Sequence, residues 1–472
     1  MTGPGITVES SARAQAEAVR RRDISARELL ELHLSRIAER NEQLNAIVSL
    51  DEERARAGAA AADQHLARGG RIGPLHGLPY AAKDTHAVAG WRTTYGSPLF
   101  ADHVPDVDDL IVERIRHAGA VLVGKTNVPE FAAGSHTFNR VFGTTRNPVD
   151  PSRSAGGSSG GAACALAAGM VPLAEGSDMG GSLRNPASFC GVVGLRPSLG
   201  RVPTWPAANQ WETTSVGGPI GRTVGDVALL LSVIAGPDPR VPLALGDPGG
   251  MFAGPLAGSL AGLRVGYSVD LGGAFTVDPQ VATLLEGAGR LMVRWGASVF
   301  DAHPDLTGAD DTFRTLRAWH FQASFGDLLR RHPDDIKPTL ADNIRAGEGL
   351  TGADVARAFE RRTTLAESMR RFFQQYDVLV LPTSQVPPFP ADQEYPAEIA
   401  GRPMETYLDW MRSAYLITVT GCPAISVPGG RTPDGLPVGI QLVAPHGQDR
   451  RLLEIAAAFE AAVAAASGGF PA

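Results

Sequence analysis

The sequence predicts an α/β fold, in which a mixed and largely buried β-sheet is covered by α-helices on both sides. Three observations point to this class. Amphipathic stretches with helical periodicity alternate along the chain with short apolar runs of strand length. Hydrophobic residues make up 43% of the 472 residues, which is enough to bury a large core. Glycine and proline occur 55 and 35 times, and they indicate many turns between the elements.

The N-terminal part of the chain is predicted to be helical. Residues 8–22, 26–40 and 52–68 each show the spacing of apolar residues that is typical of a helix. Ser25 is a suitable N-cap for the second helix, because Glu28 follows three residues later and completes a capping box.

Short apolar strands and further helices follow along the rest of the chain. Residues 75–83 are apolar, and a helix at 108–117 leads into a strand at 121–123 and a loop at 124–127. The other predicted helices cover residues 226–234, 279–295, 450–465 and most of 312–375. The other predicted strands cover residues 263–267, 378–382, 424–427 and 438–443.

We expect one domain over residues 1–472, because no internal repeat divides the chain. Residues 1–70 form its helical N-terminal part, and residues 71–235 hold the candidate catalytic residues. Residues 236–472 complete the sheet and the substrate pocket. The stretch 237–262 is rich in Gly, Pro and Ala, but it is only a weak boundary, because strands on both sides of it can share one sheet.

Composition excludes several classes of function. The net charge is −7, and no run of lysine or arginine is long enough for a nucleic-acid surface. Cys164, Cys190 and Cys422 are too scattered for a disulfide framework or a metal site, so we expect them in the core. The chain shows no signal-peptide pattern and no apolar run of about 18 residues, which predicts a cytoplasmic protein without a membrane partner.

Two glycine–serine turns are the most informative feature of the chain. The first covers residues 156–161 and presents Ser158 and Ser159, and the second covers residues 180–182 and presents Ser182. An apolar, alanine-rich segment that can pack as a buried helix separates them. Glycine lets backbone N–H groups approach a ligand closely. A serine beside such N–H groups supplies a nucleophile and an oxyanion hole together, as acyl transfer requires.

A serine nucleophile needs a base, and the sequence offers two kinds. None of the 11 histidines lies near the serine turns in sequence, so a histidine reaches them only through folding. Lys83 is, apart from Asp84, the only formally charged residue of the mostly apolar segment 75–84. Burial disfavours the charged ammonium and lowers the pKa of a lysine. Lys83 is therefore a candidate base near neutral pH.

Three motifs taken together resemble the amidase signature family. They are Gly77-x-Pro79-x-x-x-Lys83-Asp84, the Gly-Gly-Ser-Ser-Gly-Gly run at 156–161, and Asp178-x-Gly180-Gly181-Ser182-Leu183-Arg184-x-Pro186. The resemblance covers most of the chain, and the combination of motifs is highly specific. It implies the large single α/β fold of that family and hydrolysis of amide bonds without a metal or an organic cofactor.

The resemblance also implies a Ser–cisSer–Lys triad. Ser182 is then the nucleophile, Ser158 the bridging serine with a cis peptide, and Lys83 the base. Such a relay suits amide cleavage, because Ser158 can accept the proton of the nucleophile while it passes its own proton to the neutral lysine. The same relay can return a proton to the leaving amine.

The second turn is expected to supply the oxyanion hole. The expected donors are the backbone N–H groups of Met179, Gly180, Gly181 and Ser182. Asp178 and Arg184 flank this turn, and we expect them to form an ion pair that fixes the loop rather than takes part in the chemistry.

The substrate pocket is predicted in outline only. By resemblance, the segment around residues 131–135 lines it, where Ala132 and Gly134 are small, and Ser177 borders the acyl pocket. Candidates for the walls of an aromatic site are Trp205, Trp211 and Trp319. Small pocket residues together with tryptophans predict hydrolysis of aryl or hydrophobic amides. Small esters and carbamates (urethanes) are further candidate substrates, because they share the tetrahedral intermediate.

Two alternative functions stay open. Residues 157–161 also satisfy the G-x-S-x-G pattern of an α/β-hydrolase esterase with Ser159 as nucleophile, although the residues before them do not look like a strand. The resemblance also allows an amidotransferase-type subunit that works with a partner protein. The preferred interpretation is an enzyme that acts on a small-molecule amide as a monomer or a homodimer.

Overall fold

The computed structural model describes residues 5–466 and contains thirteen α-helices and fifteen β-strands in that range. The helices are α1 (Ala12–Arg21), α2 (Ala26–Leu44), α3 (Glu52–Ala67), α4 (Leu110–His117), α5 (Gly160–Ala167), α6 (Arg184–Cys190), α7 (Val224–Ile234), α8 (Pro279–Arg294), α9 (Ala309–Arg331), α10 (Pro338–Arg345), α11 (Gly352–Phe372), α12 (Arg412–Thr418) and α13 (Asp449–Ala466). The strands are β1 (Ile47–Leu50), β2 (Pro79–Lys83), β3 (Val121–Thr126), β4 (Phe138–Asn139), β5 (Gly143–Thr144), β6 (Ala174–Asp178), β7 (Val193–Arg196), β8 (Val216–Gly221), β9 (Arg264–Tyr267), β10 (Ser298–Asp301), β11 (Val378–Pro382), β12 (Glu398–Ile399), β13 (Arg402–Pro403), β14 (Ala424–Arg431) and β15 (Pro437–Val443).

Eight strands form one mixed central sheet in the order β10-β9-β11-β15-β14-β7-β8-β6. The pairs β10–β9 and β9–β11 are parallel, and the remaining pairs are antiparallel. The predicted fold class, an α/β fold around a mixed sheet, is confirmed.

Both faces of the sheet are buried under helices. Alternate residues of β11 show this, because side chains of a strand point in turn to opposite faces. Val378 and Val380 belong to a core that contains residues of α7, α8 and α13. Leu379 and Leu381 belong to a second core that contains residues of α9, α11 and α12. β11 is therefore apolar along its whole length.

A smaller three-stranded sheet lies at the edge of the central sheet. Its order is β1-β3-β2, with β2 and β3 parallel. A parallel bridge joins Tyr80 of β2 to Leu173, the residue before β6. This bridge places the carboxyl end of β2 next to β6, the edge strand of the central sheet. The hairpins β4–β5 and β12–β13 form two further two-stranded sheets.

Several element boundaries differ from the prediction. The helix predicted at 8–22 begins only at Ala12, where Ser11 caps it. The loop predicted at 124–127 is wrong, because β3 continues through Thr126 and pairs with β1 and β2. The capping box of Ser25 and Glu28 is confirmed. None of the helices within residues 5–466 is long and apolar enough to cross a membrane.

Candidate functional site

Lys83 lies at the carboxyl end of β2 and is fully buried. Its Nζ donates hydrogen bonds to three hydroxyl oxygens, at 2.9 Å to Ser158 Oγ, 2.9 Å to Ser159 Oγ and 3.0 Å to Ser177 Oγ. Ser158 and Ser159 belong to the first glycine–serine turn, whereas Ser177 belongs to β6. The lysine therefore connects the small sheet, the turn and the edge of the central sheet.

Burial lowers the pKa of Lys83 from 10.5 to about 7, against the opposing attraction of the carboxylates of Glu175 and Asp178. The cause is the loss of hydration, which penalises the charged ammonium more than the neutral amine. At neutral pH both forms of the side chain are present. The group can thus accept a proton from a hydroxyl and later return it, as a general base and acid must.

The first glycine–serine turn is held by side chains of the segment before β4. The Gly157–Ser158 peptide is cis, as the resemblance implies. Ser135 Oγ donates to the Gly157 carbonyl at 2.5 Å, and Thr137 Oγ1 donates to the Gly156 carbonyl at 2.8 Å. These bonds fix the backbone that presents the serine hydroxyls to the lysine.

The second glycine–serine turn connects β6 to α6 and contacts the first. The backbone N–H of Ser159 donates to the carbonyl of Ser182 at 3.2 Å. Ser182 is 6% exposed. Gly181 has a φ of +109°, and a Cβ there would lie 2.6 Å from Ala414 Cβ and from Asn185 Nδ2. Only glycine therefore fits this close approach of the turn to its neighbours.

A buried carboxylate organises the second turn. Asp178 accepts hydrogen bonds from the N–H groups of Gly181 and Leu183, both at 3.1 Å. It also forms ion pairs with Arg184 at 2.8 Å and Arg196 at 3.3 Å. Burial alone would raise the pKa of Asp178, but the two guanidinium groups and the N–H donors hold it well below its ordinary value. The predicted pair of Asp178 and Arg184 is confirmed.

This arrangement reduces the number of backbone N–H groups that we expect to form the oxyanion hole. The Gly181 N–H points to the Asp178 carboxylate and is already engaged. The prediction that Gly181 donates to an oxyanion is therefore set aside. The remaining proposed donors are the N–H groups of Met179, Gly180 and Ser182.

A second buried carboxylate, which no motif in the sequence indicated, supports the lysine. Glu175 of β6 accepts from the Lys83 backbone N–H at 2.7 Å and from the Tyr80 hydroxyl at 2.8 Å. Its other oxygen lies 2.5 Å from His86 Nδ1. Burial alone would raise the pKa of Glu175, but His86 and these donors bring it below its ordinary value. The sequence signal that could have drawn attention to it is a carboxylate directly after the apolar run at residues 170–174.

A cavity of about 520 Å³ opens beside the lysine. Ser177, which binds the lysine amine, is part of its wall. The apolar part of the wall consists of Phe100, Ile111, Phe131, Ala132, Val202, Pro203, Trp205 and Phe325. The polar part includes His86, His103 and Asp109. The cavity thus offers a mostly apolar space that reaches Ser177, whereas Lys83, Ser158 and Ser182 are not part of its wall.

The predicted pocket residues are only partly brought together. Ala132, Ser177 and Trp205 line this cavity. Gly134 does not, because a Cβ at that position would face Lys337 Nζ and Tyr407 instead. Trp211 is 65% exposed, and Trp319 packs against Phe359 at 6.2 Å between ring centroids. Neither of these two tryptophans belongs to the wall.

The second glycine–serine turn contacts apolar side chains at Gly180. A Cβ on Gly180 would lie 2.9 Å from Met411 Cε and 3.4 Å from Phe313 Cζ. Arg317 is buried there, but Asn343, Tyr407 and Met179 engage its guanidinium group. This surrounding favours an apolar acyl group next to the turn.

The described residues do not assemble a metal centre. Among residues 5–466, no group of three or more His, Cys, Asp or Glu side chains is placed to hold a metal ion. Cys164, Cys190 and Cys422 are free and buried, as predicted for core residues.

Comparisons with known proteins agree with the resemblance seen in the sequence. A family model described as Amidase matches residues 28–453. The acylamidase of Rhodococcus erythropolis is 38% identical over 454 residues, which cover 96% of this chain and 95% of that protein. A glutamyl-tRNA(Gln) amidotransferase subunit of Synechococcus sp. (strain CC9605) is 36% identical over 469 residues, with 93% and 94% covered. The crystal structure of a bacterial aryl acylamidase of the amidase signature family superposes with a TM-score of 0.89 at 31% identity. That superposition covers 98% of this chain and 99% of the other.

Proposed function

Because the chain belongs to the amidase family and is an amide-hydrolysing enzyme, we propose that it cleaves aryl or hydrophobic carboxylic amides through an acyl-enzyme on Ser182. Ser158 and Lys83 form the proton relay in this proposal. The observation that carries it is the buried Lys83 amine, which contacts the Ser158 hydroxyl at 2.9 Å and has a pKa of about 7. The base is thus available at neutral pH without help from a histidine.

The relay begins with the neutral form of Lys83. As the Ser182 oxygen attacks the amide carbon, its proton passes to Ser158, and the Ser158 proton passes to the lysine nitrogen. The negative charge that develops on the carbonyl oxygen is met by the N–H groups of Met179, Gly180 and Ser182. Collapse of the tetrahedral intermediate returns a proton through Ser158 to the leaving amine. Water then releases the acid from Ser182 by the same proton path.

Two features support a hydrophobic substrate. Aromatic and aliphatic side chains make up most of the cavity beside the lysine. Met411 and Phe313 cover the opposite side of the nucleophile turn. The similar proteins include an acylamidase and an aryl acylamidase. We therefore propose aryl amides as the principal substrates, with small esters and aryl carbamates as further ones.

A substrate panel with variants tests this proposal. Anilides, short aliphatic amides, p-nitrophenyl esters and aryl carbamates are compared by kcat/KM for the wild type, Ser182→Ala and Ser159→Ala. We expect the anilides to be preferred and Ser182→Ala to lose at least ~10⁴-fold in kcat. Ser159→Ala should lose about 10- to 100-fold, because this hydroxyl only contacts the lysine.

The panel also separates the competing assignments. Activity confined to short aliphatic amides would exclude the aryl preference. Normal turnover by Ser182→Ala, with loss of turnover in Ser159→Ala, would instead support an esterase of the α/β-hydrolase type. The structure offers little support for that type, because no strand leads into Ser159: residues 155–158 are irregular and α5 begins at Gly160.

An amidotransferase-type subunit is the second candidate function, since the Synechococcus protein is 36% identical over nearly the whole chain. Its test is glutaminase activity of the purified chain with and without cell extract, combined with size-exclusion chromatography. Glutamine hydrolysis that requires a co-eluting partner would favour this candidate. Our primary proposal expects a cytoplasmic monomer or homodimer that acts on small amides without a partner protein.

A further inference from the structure

One end of the cavity beside Lys83 carries a negative charge that no basic side chain pairs with. Asp109 is the only Asp, Glu, Lys or Arg in the cavity wall. Within residues 5–466, no lysine or arginine forms an ion pair with it, although the neighbouring Asp108 is paired with Arg116 at 2.6 Å. The Asp109 side chain does not cap α4 either. Burial raises the pKa of the Asp109 carboxyl, and the charges of His86 and Lys125 together with the Ala87 backbone N–H oppose that rise. The carboxylate thus has attractive neighbours but no direct ion pair, and it remains able to form one with a cation in the cavity.

His86, which also lines the cavity, and Lys125 attract the Asp109 carboxylate, but both of them also serve other carboxylates. The backbone N–H of Asp109 donates to the Ala87 carbonyl at 2.9 Å, which places it beside His86. His86 Nδ1 already lies 2.5 Å from the Glu175 carboxylate. Lys125 donates to the His86 carbonyl at 2.5 Å, and its charge is attracted to Asp84 and Glu175 as well as to Asp109.

The carboxylates around Lys125 are those of Asp84, Asp109 and Glu175. The basic groups that attract them are Lys125, His86, Lys83 and Arg92. Among residues 5–466, none of these basic groups forms a direct ion pair with Asp109. The nearby Arg240 stacks on Trp205, but it already pairs with Asp238 and Glu113.

Aromatic rings surround the space in front of the carboxylate. Tyr95, Phe100 and Phe131 line the cavity and contact each other, with ring centroids 5.4 to 6.4 Å apart. Trp205 completes the wall. An ammonium group is attracted both to a carboxylate and to the faces of aromatic rings, whereas an anion is repelled by both.

We propose that this cavity binds an ammonium group at Asp109, so that the enzyme prefers amides whose hydrophobic part ends in an aliphatic amine. The preference for amides rests on the proposed function, whereas the binding of the ammonium group does not. Asp109 acts here as a specificity-determining residue rather than a catalytic one, because it contacts the far end of the substrate.

The experiment compares isosteric substrates in which an aminomethyl group replaces an ethyl group. One pair carries this group on the acyl ring: N-phenyl-4-(aminomethyl)benzamide and N-phenyl-4-ethylbenzamide. The other pair carries it on the amine ring: N-[4-(aminomethyl)phenyl]acetamide and N-(4-ethylphenyl)acetamide. In at least one pair we expect kcat/KM to be about tenfold higher for the cationic member.

Variants test whether the Asp109 carboxylate causes the preference for the cationic substrate. Asp109→Asn should bring the two members of the preferred pair within about twofold of each other, chiefly by lowering kcat/KM for the cationic member. Asp106→Asn is the matched control, because Asp106 is exposed and lies outside the cavity wall. It should retain the full preference. No preference in either pair, or a preference that survives Asp109→Asn, would overturn the proposal.

A binding measurement keeps this test independent of turnover. Isothermal titration with benzylammonium and with benzyl alcohol should show tighter binding of the cation to the wild type, and loss of that difference in Asp109→Asn. Equal binding of the two probes to the wild type would contradict the ammonium site even if amides are hydrolysed. Conversely, binding of the cation without hydrolysis of any amide would leave this site standing and reject the proposed function.

Discussion

The amine of Lys83 sits among three hydroxyl oxygens, and its two protonation states use them differently. An ammonium group donates three hydrogen bonds and matches the three serine oxygens at 2.9 to 3.0 Å. A neutral amine has only two hydrogens and one lone pair, so one of the hydroxyls must donate to it. The cluster is therefore able to exchange a proton with little movement of heavy atoms.

The proposed role of Lys83 as the catalytic base predicts how catalysis depends on pH. Burial lowers the pKa of Lys83 to about 7, and the relay needs the neutral form. We expect kcat/KM to rise about tenfold per pH unit below pH 7 and to level off above it, because protonation removes the base. Initial rates with a neutral anilide between about pH 5 and 9 measure this profile.

A control on the same substrate separates this titration from unfolding. Circular dichroism over the same pH range should stay constant while the rate changes. A rate that is independent of pH through 7, or one that still rises about tenfold per unit at pH 9, would show that the catalytic base is not a lysine whose pKa has been lowered from 10.5 to about 7.

Single residues were predictable where a motif carried them. Lys83, Ser158 and Asp178 were identified from motifs that resemble those of the amidase signature family. Glu175 and Asp109 could not be identified in this way, because each acts on neighbours that folding brings from distant segments. Glu175 contacts β2, and Asp109 lines a cavity that is built from several loops. A sequence shows the type of these residues but not which of them lose their counter-ions.

At the scale of elements, the short strand β6 contributes three side chains to the candidate site. Its side chains contribute Glu175 behind the lysine, Ser177 beside the lysine and Asp178 under the nucleophile turn. Between them, Gly176 pairs with Gly218 of β8. Because Gly176 has no side chain, Ser159 at the N-cap of α5 can pack directly against β6.

Substitution of Gly176 tests this close approach. A Cβ there would lie 2.2 Å from Ser159 Oγ and 2.8 Å from Ser159 Cβ, so Gly176→Ala must displace a serine that contacts the lysine. We expect kcat to fall about 100-fold and the free energy of unfolding to fall by about 1 to 3 kcal/mol. Kinetics with an anilide measure the change in kcat, and urea unfolding measures the change in the free energy of unfolding.

Gly287 of α8 provides the matched control. Only the far end of Arg290 lies near its position, at 3.9 Å, so an added methyl group meets open space. Gly287→Ala should leave kcat unchanged and stabilise the protein by about 0.5 to 1 kcal/mol through helix propensity. Wild-type activity in Gly176→Ala would refute the tight contact between β6 and α5.

Most of the elements were predictable, but the strands that build the site were not. The apolar strands β11 and β15 stand out because β-branched residues and leucine fill them. In contrast, β6 and β8 have the sequences AEGSD and VGGPIG, which look like turns. Glycine is present there because helices pack closely on these strands, and tertiary packing of this kind leaves no local signal.

At the scale of the whole molecule, strands from both sides of the 237–262 stretch share the central sheet. β6, β7 and β8 precede that stretch, and the other five strands follow it. β7 pairs directly with β14, so the two halves are joined by backbone hydrogen bonds inside the sheet. We infer that residues 1–472 form one domain and that neither half is stable alone.

Calorimetry tests this inference. A single domain should unfold in one endothermic transition whose calorimetric and van't Hoff enthalpies agree, because breaking the sheet at β7 and β14 exposes both cores together. A truncated chain that ends at residue 236 should lack a cooperative transition altogether. Two separate transitions in the intact chain would show that the halves are independent domains.

The order of strands also constrains how the protein is made. β14 and β15 lie in the middle of the sheet, between β7 on one side and β11 on the other. Until residue 443 has left the ribosome, the nascent chain therefore carries two half-sheets whose inner edges are open and apolar. Molecular chaperones bind open edges of this kind. Chains that expose them also aggregate, because their strands pair with one another. The yield of folded enzyme should accordingly depend on protection of the growing chain more than on the stability of the finished one.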